Sequence, residues 1–402
     1  MALSRTTRVN LMLSGGHFLS HFYVLCLPPM FLVWQSAFHV SFAALGLTIA
    51  LMSGTTAILQ TPVGFLVDRY GARPFLVGGA LLMSLSVAAM GLATSFWQLL
   101  LFAVLSGVGN SVIHPADYAI ISGSVDHERI GRSFALHTFA GNVGFSAAPP
   151  VIAVLALSIG WRGSLILVGL LGVPVVIAVL LQSGVLLDQA HHETRAAGPR
   201  LSGRDLLTGR TMLLFFAFYM LGSMAGSGVQ SWLVTILHAV KSMSLPAASA
   251  ALTGYLVGTT LGILVGGWTA DAHKRHVLSL GLIPIATGAV LLLAVNWAGL
   301  PDLTTIVLIV AAGLAIGISR TPRDLMLKDS VPAGQIGKVF GFVSSGLPLG
   351  SAITPVPFGF LIDRGHPELV LVLVAAILLL SILCCWAARG STKRGMVAVA
   401  AE

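Results

Sequence analysis

Long apolar runs alternate with short polar breaks along this chain, and the runs are too long for the elements of a soluble core. Twelve can be marked, at about 10–34, 41–67, 75–95, 97–121, 132–156 and 161–186, then 210–238, 246–269, 276–296, 302–325, 338–362 and 367–388. Each offers the roughly 20 residues that a helix needs to cross a bilayer. The strict alternation of a membrane barrel is absent from them. Peptide groups in hydrocarbon must bond within their own segment, so the pattern predicts twelve transmembrane helices and an all-α polytopic membrane protein.

The longest polar stretch begins at Asp188, "DQAHHETRAAGPRLSGR", and leaves six runs on either side. It predicts a six-helix unit over 1–187, a linker over 188–209 and a second six-helix unit over 210–402. The two units look related. "IGRSF" at Ile130–Phe134 returns as "IGKVF" at Ile336–Phe340, and the same offset carries Gly107 onto Gly313, Gly144 onto Gly350 and Pro149 onto Pro355. A shared register over several elements points to an internal duplication, hence two pseudo-symmetric six-helix bundles with a substrate site between them.

Composition agrees. Only 9% of residues are charged and 56% are hydrophobic, with a mean hydropathy of +0.93. Charges this sparse cannot cover a water-facing surface of this size. The net charge of +8 would raise nucleic acid as a partner of a soluble protein. Here, with the N-terminus inside, 17 of the 22 Lys and Arg fall in the loops of one face. That asymmetry predicts cytoplasmic termini and accounts for the basic balance without nucleic acid. Cys26, Cys384 and Cys385 all lie in apolar runs, so no disulfide framework is readable. The first run outlasts a signal-peptide core and reads as a retained span.

Between the second and third runs stands "GFLVDRYGARP", a charged turn bracketed by glycines, with Asp68, Arg69 and Arg73 within six positions. Glycines let helix ends approach closely. The carboxylate can meet a helix N-terminus or an arginine, and the arginines can anchor in headgroups. This turn resembles the loop signature of the major facilitator superfamily, Gly-x-Leu-x-Asp-Arg-x-Gly-x-Arg, matched by Gly64, Leu66, Asp68, Arg69, Gly71 and Arg73. A degraded copy, "GWTADAHKR", carries Gly267, Asp271, Lys274 and Arg275 in the second half. A further echo, "GFLIDRG" at Gly359–Gly365, falls on the external face by this topology, as a coincidence or a sign of misplaced boundaries. The resemblance implies two bundles rocking about a cavity lined by the first, fourth, seventh and tenth spans. It also implies a conformational latch at Gly64, Asp68, Arg69, Gly71, Arg73 and Asp271. Departures weaken drug efflux: Ala103 stands where drug and proton antiporters of the family often carry a span-four arginine, and "GNVGFSAAPP" is only a partial span-five pattern. "HPAD", His114–Asp117, is similar to the fosmidomycin-resistance branch, too little to carry a substrate across.

Polar side chains within spans are the functional candidates. His17 and His21 share one face of the first span. His114 and Asp117 lie in the fourth, and Arg320, Arg323 and Asp324 in the matching part of the tenth. Two uses are open. Asp117 can pair with Arg320 or Arg323 across the halves as a gate, or the arginines can attract an anion while His114 or Asp117 carries a proton. Gln230 is a further candidate, with His137, Trp232, Tyr23 and Tyr255 below it. Gly254, Gly258, Gly262 and Gly266 form a four-residue ladder suited to helix packing. Met220 and Met224 allow a soft-metal (copper) reading, although flexible packing is the commoner use of methionine.

No Walker A sequence and none of the common hydrolase or metalloprotease motifs occurs. The sequence therefore predicts a secondary active transporter of the inner membrane, not an enzyme. It is expected to move a small organic solute, an anion by the arginines, with protons as the coupled ion. Drug efflux by proton antiport and copper transport are the alternatives, and a sensor without transport is a third class. The expected partners are substrate, protons and lipid, with no cofactor, no metal and no nucleic acid, and the chain acting as a monomer.

Overall fold

The computed structural model describes residues 4–399 apart from 127–128, 188–208, 298, 329, 331–338 and 340–341. The predicted linker and most of "IGKVF" lie outside the described residues, as do the side chains of Asp68 and Asp271. Eleven helical runs are long and apolar enough to cross a membrane. One of them, Arg132–Leu181, has 50 residues and serves two crossings. It is broken at Gly160, whose φ of 72° and ψ of 165° are open to glycine but strained for other residues. Twelve spans result.

These are α1 (Arg5–Leu25, carried on by a 3-10 turn at Pro28–Met30 and by Phe31–Phe38), α2 (Phe42–Tyr70), α3 (Ala72–Met90) and α4 (Phe96–Ser111 and Ile113–Ser124). The run Ile130–Leu170 supplies α5 before Gly160, and after it, with Gly172–Leu181, α6. The second half holds α7 (Arg210–Lys241), α8 (Leu245–Ala272), α9 (Val277–Ala294), α10 (Asp302–Ile318 and Arg320–Lys328), α11 (Gly346–Ile353 and Pro355–Asp363) and α12 (Glu368–Val399). α4 and α10 break at matching places, Val112 and Ser319, just ahead of Pro115 and Pro322. Proline removes a helical donor and crowds the carbonyl four residues back.

The offset glycines do equivalent jobs. A Cβ on Gly107 of α4 would strike the backbone of α2 at Met52, and one on Gly313 of α10 would strike α8 at Tyr255. Gly144 of α5 lies on α1 at Phe18, and Gly350 of α11 on α7 at Met220. Met220 and Met224 thus stand at a helix-packing seam. In α8, Gly258, Gly262 and Gly266 meet successive backbone turns of α10, from Val310 to Ile318. Within hydrocarbon this close approach replaces the hydrophobic drive between helices.

The loop signature folds as its glycines require. Gly71, at φ 89° and ψ 152°, turns the chain between α2 and α3, and its N–H donates to the Val67 carbonyl. Arg69 lies over the Tyr70 ring, 5.2 Å from its centre. The boundary beside the echo at 359–365 holds, since α11 ends at Asp363. The Asp363 carboxylate accepts from the backbone N–H of Phe42 at 2.7 Å and of Ala43 at 2.9 Å, while Ser41 Oγ accepts from Ala44 at 3.1 Å. One half thereby caps a helix of the other. Backbone contact follows below it, at Gly359 with Phe42 and at Gly46 with Pro355. Trp232, fully buried, lies 5.0 Å from Phe31 and 6.0 Å from Phe42 between ring centres, and its indole N–H donates to the Pro355 carbonyl. The end of the bundle opposite Gly71 is therefore sealed.

Two outcomes are expected. Gly262→Val should cost about 1–3 kcal/mol through overpacking, lowering the midpoint of a thermal melt in detergent, whereas Gly15→Ala, with open space around it, should leave the midpoint in place. Asp363→Ala removes a cap worth about 0.5–2 kcal/mol, a shift of roughly 2- to 30-fold in the closed-to-open ratio. Spin labels at the exposed positions Ala37 and His366 should then report a larger long-distance population. An unchanged distance distribution would show that the cap does not hold the halves together.

Candidate functional site

A cavity of about 220 Å³ lies among the middles of the second-half helices, with Phe145 of α5 completing its wall. Four predicted residues line it: Gln230 on α7, Tyr255 on α8, and Arg320 and Arg323 on the short helix that follows the break in α10. Serine hydroxyls make up much of the remaining polar lining, among them Ser223 and Ser227, one turn apart on α7, and Ser351 on α11. Ser223 Oγ donates to the Leu347 carbonyl at 2.6 Å and lies 2.9 Å from Ser351 Oγ. Their one-turn spacing on α7 is legible in the sequence, although neither serine is ionisable.

Arg323 is held by two residues that are bonded to each other. Its Nε donates to Asp324 Oδ1 at 2.9 Å, its guanidinium lies 4.1 Å from the centre of the Tyr219 ring, and Tyr219 Oη donates to the same carboxylate oxygen at 2.6 Å. A planar guanidinium suits both stacking and forked hydrogen bonding. Tyr219 has no counterpart at the duplication offset, where Leu13 stands, so the repeat could not have revealed it. Arg320 differs. Among the described residues no carboxylate lies within ion-pair distance of it.

The first half contributes a second cluster. His17 and His21 of α1 come together with His114 of α4 and His137 of α5, ring centres 3.8–6.4 Å apart. His17 and His137 stack nearly parallel at 3.8 Å, 6° apart. Asp117, one turn after His114, is fully buried and places Oδ2 3.6 Å from His137 Nε2. The cross-half pair between Asp117 and an arginine, one of the two uses left open by the sequence, is not formed in this conformation: the acid faces a histidine of its own half, and Arg323 takes Asp324. The residues matched by the repeat are kept apart because α4 and α10 each keep their polar groups among their own bundle's helices. His137, a lesser candidate by sequence, belongs at the centre. His21 adjoins the cavity through Phe145, 4.1 Å between ring centres.

Comparison with known proteins agrees with this architecture. A family profile described as Major Facilitator Superfamily matches residues 13–247 and 211–400. The chain is 25% identical to the probable L-galactonate transporter of Escherichia coli (strain K12) over 81% of this chain and 76% of that one. It is also 25% identical to the fosmidomycin resistance protein of the same strain, over 92% and 90%. It is 23% identical to the membrane sensor protein UhpC of that strain, over 80% and 78%. In fold it is similar to a bacterial homologue of the human lysosomal transporter Spinster, solved in an inward-facing and occupied conformation, with a TM-score of 0.83, 15% identity and 97% and 98% coverage. Twelve membrane spans, a central cavity and a matching profile over nearly the whole chain lead to one conclusion: this protein is a multi-pass membrane transporter belonging to the Major Facilitator Superfamily.

Proposed function

We propose that the chain carries a small organic anion across the bacterial inner membrane by alternating access, with a proton as the coupled ion and both termini in the cytoplasm. The observation behind this reading is Arg320, a guanidinium in the wall of a cavity deep in the span region, with no carboxylate within ion-pair distance of it among the described residues. A charge left without a partner in hydrocarbon is expensive, and an anionic substrate supplies the partner. The cavity volume of about 220 Å³ is below the roughly 300–1,000 Å³ of pockets that take drug-sized ligands, which favours a small acid over a drug. Serine hydroxyls and Gln230 can hydrogen-bond the rest of such a solute. A sugar acid, the substrate class named for the L-galactonate relative, meets these demands.

The proton is assigned to Asp324. Its carboxylate accepts from Arg323 Nε at 2.9 Å and from Tyr219 Oη at 2.6 Å. An anion that draws the Arg323 guanidinium away takes this cation from Asp324, and a proton arriving with the substrate replaces it. Substrate and proton then load together. The seal at Asp363 and Trp232 faces the periplasm, and the Asp68 turn is the latch of the cytoplasmic side.

Uptake of labelled L-galactonate and related acids into proteoliposomes tests both assignments. Arg320→Ala is expected to lower anion uptake about 10- to 150-fold, the equivalent of one lost charge-assisted hydrogen bond, and normal anion uptake by this variant would remove Arg320 as the anchor. Asp324→Asn is expected to keep substrate counterflow yet lose acceleration by an inward pH gradient. A variant that still follows the gradient would place the proton elsewhere. A sensor without transport would show ligand binding and no flux in the unaltered protein.

A further inference from the structure

The histidine cluster in the first half is not used by the anion reading, and its chemistry is different. One ring nitrogen from each of His17, His21 and His114 lies within 4.8 Å of the other two. His17 is 97% removed from solvent, at 3% exposure. Its Nδ1 lies 2.8 Å from the His137 carbonyl oxygen. A carbonyl only accepts, so Nδ1 carries the hydrogen and Nε2 holds a lone pair. That Nε2 is buried with no hydrogen-bond partner, as are His21 Nδ1 and His114 Nδ1. Buried polar atoms in native structures are otherwise almost always satisfied.

We propose that His17, His21 and His114 bind one divalent transition-metal ion. Neutral imidazole is a preferred ligand of zinc, nickel, copper and cobalt. With metal–nitrogen bonds of about 2.0–2.1 Å, three such ligands must draw somewhat closer than they stand here, a movement within reach of ring rotations. The second shell is already in place. The His17–His137 hydrogen bond fixes one ligand's tautomer and orientation, the role outer carbonyls play around metal-bound histidines. Gly141 of α5 makes the room: a Cβ there would come within 2.8 Å of Nδ1 on both His17 and His21. Three neutral ligands leave the ion's double charge uncompensated, and Asp117, buried beside His137, is an acid at hand that can give up its proton as the ion arrives. A fourth ligand position remains for water or for an oxygen donor from the cavity beyond Phe145. None of its three ligands lines the cavity, so the site is argued from its own geometry, although His21 lies within electrostatic reach of Arg320.

The test uses purified, tag-free full-length chain in nanodiscs, in a His191→Ala/His192→Ala background that removes the adjacent histidine pair of the linker. Titration with Co²⁺ is expected to give the visible ligand-field bands of a four- or five-coordinate nitrogen site, at one ion per chain, and Zn²⁺ should displace them. His21→Ala and His114→Ala should each weaken binding by more than the roughly 10–100-fold typical of losing an outer partner. His137→Ala should weaken it within that range. Melting midpoints without metal show whether each variant is folded, and His114→Gln serves where alanine fails. The proposal is overturned if millimolar Co²⁺ leaves the intact protein's spectrum unchanged, as for a cluster that only shares protons, or if the His21→Ala/His114→Ala double variant binds as tightly as the parent, as for a surface site.

Discussion

Hydrocarbon offers no hydrogen bonds, so each polar group carried into this bundle must find its partner within the protein or bring one from solution. Most do so locally. Serine and threonine hydroxyls return to carbonyls one turn back, as at Thr259 with Tyr255 and Thr354 with Gly350. Tyr23 reaches across three helices to Ser84 and the Val168 and Gly169 carbonyls. Against this background the exceptions are informative. Among the described residues Arg320 has no carboxylate within ion-pair distance, and His17 Nε2, His21 Nδ1 and His114 Nδ1 are buried without a hydrogen-bond partner; these are the places where the proposed anion and metal ion would be accommodated at a gain.

The two halves answer the same constraint with different chemistry. Position 114 holds a histidine where its repeat partner, position 320, holds an arginine, and Asp117 answers to Arg323. Both pairs sit just past a break in their span, on short helices set off by proline. The scaffold of glycine contacts stayed common to the halves while the polar load diverged, leaving soft nitrogen ligands on one side and fixed positive charge on the other. The cavity borders both.

Much of this architecture could be read before any coordinates. Run length placed the twelve spans, and even the continuous α5–α6 run divides at Gly160, inside the predicted gap between the fifth and sixth runs. The offset of Gly107 with Gly313 and of Gly144 with Gly350 announced real packing equivalences, because a residue that must lack a Cβ is constrained by its neighbour's backbone. Candidate residues were legible by type, since ionisable groups are scarce in spans. Their partners were not. Whether Asp117 meets an arginine or His137 depends on helix rotation within a bundle, which a one-dimensional spacing does not encode. Tyr219 was hidden for a related reason: a tyrosine among apolar residues announces nothing until a carboxylate is found beside its hydroxyl. "GFLIDRG" was seen, yet its use as a cap on a distant helix needed the fold.

Gly160 has a mechanical consequence. It lets α5 pass into α6 with no intervening loop, so the corner has almost no slack. A tilt of α5, which carries His137 and Phe145 and packs against α8 of the other half, must pull α6 with it like two arms of a bracket. Ser84 of α3 donates to the Gly169 carbonyl in the far arm, and Arg162 beside the corner donates to the Ala93 carbonyl at 2.5 Å. Displacement at the seam is thus delivered to the rest of the first bundle as whole-body rotation, with little lost to bending.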